Sequence, residues 1–100
     1  MQAGRELDVK VAEALGWDFL TEEGFKDEYL PYFSTSWDGM GSLVKEARRI
    51  GIYLGINAVP DRRYEAYAWD EVNQKRYEIC GKTAPLTVCL VFLTAKGIAI

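Results

Sequence analysis

The sequence predicts an α+β domain: a three-stranded antiparallel meander packed with three helices, in the order α-α-β-β-β-α and α/β/α sandwich-like. Three observations predict it. Apolar residues recur at helical spacing in two segments of the first half. Three short alternating segments follow, separated by turns. A nearly all-apolar run then opens on a Thr-Ala-Pro start. At 100 residues, 49% apolar and 27% charged, the chain reads as one globular domain spanning 1–100.

The first helix is expected over Arg5 to Leu15. Leu7, Val11 and Leu15 recur every four residues, while Glu6, Asp8, Lys10 and Glu13 take the other faces. Gly16 is a natural end to it, and Trp17 and Phe19 are expected to fold back on the core. Residues 18 to 33 read as an extended acidic crossover, with Glu22, Glu23, Asp27 and Glu28, closing on Tyr29-Leu30-Pro31-Tyr32-Phe33. Ser34-Thr35-Ser36 opens the second helix, with Thr35 and Asp38 at capping-box spacing. Trp37, Met40, Val44 and Ala47 form its expected apolar stripe. Gly39 and Gly41 weaken its first turns and point to a close approach to the backbone. Arg48 and Arg49 suit the helix C-terminus, and Gly51 stops it.

The strands follow. Ile52, Leu54, Ile56 and Ala58 alternate with Tyr53, Gly55, Asn57 and Val59. After a Pro60-Asp61-Arg62 turn, Tyr64, Ala66 and Ala68 alternate with Glu65, Tyr67 and Trp69. The third strand is expected over Arg76 to Cys80. One sheet face is thus aliphatic, and the other carries Tyr53, Tyr67 and Trp69. Thr83 caps the last helix, and Pro85 fits its first turn. Leu86 to Leu93 is apolar nearly all round, so burial from several sides is required, and self-association into a homo-oligomer is the expected route.

Composition excludes several functions. A net charge of −3 makes duplex nucleic acid a poor partner. No apolar run reaches the roughly 18–20 residues of a membrane span. Cys80 and Cys89 form neither a disulfide framework nor a CxxC site, so both are expected to be reduced. The chain has no histidine, which removes the commonest general base and metal ligand. Gly81-Lys82-Thr83 lacks the earlier glycine of a phosphate loop, since Arg76 stands there. No catalytic residues, metal or cofactor are therefore expected. A remaining constellation joins two hydroxyl-rich helix starts, Ser34, Thr35 and Ser36 with Lys82 and Thr83, to the aromatics Tyr32, Phe33, Trp37 and Trp69 and to Arg62 and Arg63. Helix starts attract anions and aromatics stack on rings, so a nucleotide-like small ligand is the expected partner.

Glu6-Leu7-Asp8 with Val11-Ala12-Glu13, Gly16-Trp17, Phe33-Ser34-Thr35, and Thr83-Ala84-Pro85-Leu86 with Cys89 follow one another in order. As an ordered set they resemble the phage ABA sandwich domain of small bacteriophage proteins. That family usually carries Asp after the Ser-Thr pair, where this chain has Ser36, and the charge at the helix start differs accordingly. The resemblance implies the fold and a phage origin, hence a place in the bacterial host cytoplasm, and implies no reaction. Combined with the ligand constellation, it suggests a non-catalytic anti-defence protein. Such a protein would sequester a host immune signal of the cyclic nucleotide or cyclic ADP-ribose type. The alternatives are a protein-interaction or inhibitor module using the 18–33 segment and, more remotely, a double-stranded-RNA-binding-like domain with Lys82 at its last helix start.

Overall fold

A computed structural model describes residues 1–17 and 30–100. Helix α1 spans Arg5–Ala14 and α2 spans Trp37–Arg49. Strands β1 (Ile52–Val59), β2 (Arg63–Asp70) and β3 (Lys75–Gly81) follow, then α3 (Ala84–Ala95). This is the α+β order expected. The strands pair antiparallel in the order β1-β2-β3. The acidic part of the expected crossover, 18–29, lies outside the described residues.

The helix ends follow from local chemistry. Gly16 takes φ +80°, and the Gly16 and Trp17 amides donate to the Glu13 and Ala12 carbonyls. That is the Schellman closure, which a left-handed glycine makes easy. Gly51, at φ +82°, takes the same left-handed turn at the end of α2, and its amide donates to the Arg48 carbonyl. The start of α2 differs from expectation. Ser36, not Thr35, is the N-cap, and its Oγ accepts from the Gly39 amide at 2.9 Å. The buried stripe of α2 also moves: Met40, Leu43 and Ala47 are buried, while Trp37 is 58% exposed. Trp37 occupies the first helical position, where the side chain can clear the core.

Period-two alternation sorts the sheet into two faces. Ile52, Leu54 and Ile56 lie opposite Asp70, Ala68 and Ala66 on the inner face. Tyr53 lies opposite Trp69 on the outer face, and both are exposed. Gly55 lies opposite Tyr67, whose ring covers the space a Cβ would take. Helix α3 packs against all three strands, α2 packs on β1 and α3, and α1 packs on α3. Nine of the twelve residues of α3 are buried. The chain thus buries its all-round apolar helix by itself, with no second subunit needed for that task.

A buried polar knot joins α1 to the start of α2. Asp8 is fully buried and accepts from the Ser34 amide (2.9 Å), the Ser34 hydroxyl (2.7 Å) and the Arg5 guanidinium (2.9 Å). Arg5 also donates to the Leu30 and Pro31 carbonyls. Both carboxylate oxygens of Asp8 thus accept hydrogen bonds, as burial of a carboxylate requires.

Candidate functional site

The starts of α2 and α3 meet in one open cleft of about 490 Å³. Its walls include Ser34, Thr35 and Trp37 from the α2 start, and Lys82, Thr83, Ala84 and Pro85 from the α3 start. Tyr64, from the beginning of β2, and Ala3 complete it. Two tight passages build this geometry. Gly39 lets the first turn of α2 sit directly on the Tyr32–Phe33 backbone, because a Cβ there would collide with the Tyr32 carbonyl. Gly81 lets β3 turn into α3 against the buried Thr87, whose hydroxyl fills the space of a Cβ. That turn carries Lys82 out to the rim.

The cleft has a polar end and an aromatic end. At the polar end the Thr83 hydroxyl accepts from the Leu86 amide at 3.4 Å, and Pro85 has no N–H. Ala84 opens α3 at this end, where the helix dipole favours negative charge, and Lys82 lines the same cleft two residues earlier. At the aromatic end Trp37 meets Tyr64 edge-on, with ring centroids 6.1 Å apart and planes at 73°. Trp37 is 58% exposed, which leaves ring surface for stacking against a flat ring. A volume of this size falls within the range of small-molecule sites.

Five sequence-predicted residues therefore come together: Ser34, Thr35, Trp37, Lys82 and Thr83. Their roles differ. Ser34 is buried, and its hydroxyl is committed to Asp8 and the Gly4 backbone, so it shapes the wall rather than offering a donor. Ser36 caps α2 and does not line the cleft. Phe33 is fully buried against Trp17, with centroids 5.5 Å apart. Tyr32 is half exposed and lies under the Arg5 guanidinium at 4.0 Å, outside the cleft. Arg62 and Arg63 sit at the β1–β2 hairpin tip, where Asp61 and Arg62 both take left-handed φ. Arg63 faces Asp61 at 3.8 Å in solvent, and neither arginine lines the cleft. Trp69 is on the outer sheet face, about 16 Å along β2 from Tyr64. Sequence reasoning missed Tyr64, having placed it only in the aliphatic alternation of the sheet.

Other reactive groups stand apart from the cleft. Burial pushes the Cys89 thiol up, with the Asp8 carboxylate adding to the effect, while Cys80 is exposed on β3. Among the described residues no three His, Cys, Asp or Glu side chains group to hold a metal ion. Among them, too, no helix is long and apolar enough to cross a membrane.

No protein-family model matches the chain, and no curated protein matches it. Among solved structures, the chain is similar to a phage protein from Bacillus cereus, with a TM-score of 0.76 and 16% sequence identity. The match covers 100% of this chain and 92% of that one. At this identity the likeness concerns the fold, and the α+β arrangement of three helices and a three-stranded meander is one that a phage protein uses.

Proposed function

We propose that the chain is a non-catalytic binding protein whose cleft takes a small anionic ligand bearing one planar ring. The supporting observation is the convergence of the two helix starts, with Lys82 beside the open end of α3 and the exposed Trp37 ring across the same cleft. The anion goes to Lys82 and the Ala84 amide. The ring goes to Trp37, and the Thr35 and Thr83 hydroxyls reach the atoms between. A nucleotide-derived molecule has this form. A phage origin, which the fold likeness to a phage protein favours, gives the binding a purpose: sequestration of a host immune signal of the cyclic nucleotide or cyclic ADP-ribose type in the host cytoplasm.

Calorimetric titration with a panel of such signals tests the reading. Heat and a rise in melting temperature are expected for at least one. Trp37→Ala is expected to weaken that binding by about 1–3 kcal/mol, the usual worth of one base stacked on an aromatic side chain. Lys82→Glu should abolish it, while both variants keep the parent's circular dichroism. Silence across the whole panel would overturn the proposal.

A further inference from the structure

Strand β3 is an edge. β2 pairs with one side of it, and among the described residues no strand pairs with the other. The opposite edge, β1, carries no charged side chain that could fix a register. An edge strand turns the N–H and C=O of alternate residues outward, ready for another chain. We propose that β3 pairs antiparallel with β3 of a second copy, about a two-fold axis through Tyr77, joining two meanders into one six-stranded sheet.

Charge complementarity selects this occupant and this register. On the outer face β3 carries Arg76 and Glu78, 2.9 Å apart and more than half exposed, at 58% and 53%. A two-fold axis normal to the sheet at Tyr77 sets Arg76 opposite Glu78 of the partner subunit, and Glu78 opposite Arg76 of the partner subunit. Residues directly opposite sit about 5 Å apart at Cβ, so all four charges join one alternating cluster. Shifting the axis to Arg76 sets that guanidinium against its own copy, and shifting it to Glu78 does the same to the carboxylate. Like charges directly opposite destabilise a pair. Charged residues ordinarily guard an edge against all comers. Here the guard is palindromic and repels the neighbouring registers while accepting one. On the inner face Tyr77 meets Tyr77 of the partner subunit, and the Lys75 stem crosses Ile79 of the partner subunit. The contact is isologous and closed, as a two-fold dimer requires. Within the chain the Arg76 guanidinium also lies 5.0 Å over the Tyr67 ring of β2.

Light scattering from micromolar to millimolar concentration tests the pairing. The parent is expected to approach twice the 11.3 kDa chain mass as concentration rises. Arg76→Glu leaves two carboxylates at these positions, and Glu78→Arg leaves two guanidiniums, so each variant alone is expected at the mass of one chain. A 1:1 mixture of the two should recover the doubled mass, and so should the R76E/E78R double variant by itself. Circular dichroism confirms that each is folded. Loss of the ion pair within one chain cannot produce such complementation. A parent that stays at one chain mass throughout, single variants that keep the doubled mass, or a mixture that remains at one chain mass would each overturn the proposal.

Discussion

Replacing Gly39 by alanine should destabilise the cleft's frame, whereas replacing Gly41, two residues on, should strengthen the protein. Both glycines lie in the first turns of α2, Gly39 buried and Gly41 exposed, and alanine in a helix is worth about 1 kcal/mol over glycine. Around Gly41 nothing comes within 4 Å of a new Cβ, so that gain is kept. At Gly39 the new Cβ lands on the Tyr32 carbonyl group and 2.7 Å from the Phe33 nitrogen. These are backbone atoms, so no side chain can swing away. Relief requires the segment carrying the buried Phe33 and Ser34 to shift, which strains the bonds to Asp8. Overpacking of a filled interior costs about 1–3 kcal/mol, and the loss of Asp8 geometry adds to it. The expected net for Gly39→Ala is a loss of about 2–3 kcal/mol. At about 4–8 °C per kcal/mol for a domain of this size, its Tm falls by roughly 10–20 °C, while that of Gly41→Ala rises by roughly 4–8 °C. Calorimetric melting of the parent and the two variants reads this directly. A Gly39→Ala melting point within about 2 °C of the parent, or an equal fall for Gly41→Ala, would refute the close approach as the reason for glycine.

Two further outcomes follow from the polar groups. Asp8→Ala removes the acceptor for the Ser34 amide, the Ser34 hydroxyl and Arg5, and is expected to cost about 3–5 kcal/mol in urea unfolding; a loss under about 1 kcal/mol would show that the knot is not needed. Asp70 accepts from the Asn73 side chain and from the Asn73 and Val72 amides, which hold its carboxyl below the usual carboxylate range. A lowered folded-state pKa contributes stability that is complete above the unfolded value, about 3.9, and is lost as pH falls through the folded one. Asp70→Asn should therefore flatten the loss of stability below about pH 4, and an unchanged acid limb would count against these bonds.

The elements were legible where chemistry is local. Gly16 and Gly51 stop helices because their backbone can turn left-handed, and that needs only a residue's own identity. The alternation of β1 and β2 needed only a period of two. The sequence also named both helix starts of the cleft. It misjudged what depends on distant partners. Ser34 looks like a free cap hydroxyl, but its hydrogen goes to Asp8, 26 residues upstream. Tyr64 enters the cleft because it stands at the start of β2, where the inner face runs out and its ring meets Trp37. Trp69 could have been excluded by parity alone, since it is an odd number of residues from Tyr64 and so faces the other side. The exposure of Trp37 was hidden because its spacing fits the apolar stripe, and only the tight seat of Gly39 shows that the stripe runs through Leu43 instead.

The position of α3 has a consequence for how the molecule is made. The helix that touches the sheet, α2 and α1 comes after all of them in the chain. A ribosome releasing the polypeptide from its N-terminal end exposes two amphipathic helices and a half-covered sheet before it supplies the element that seals them. Until then Leu7, Val11, Leu43, Ala66 and Ala68 lack the α3 residues Val88, Val91 and Phe92 that share their core. Folding is thus held back until α3 has left the ribosome, and a nonsense codon anywhere before Ala84 leaves an opened hydrophobic surface for chaperones and proteases rather than a smaller working domain.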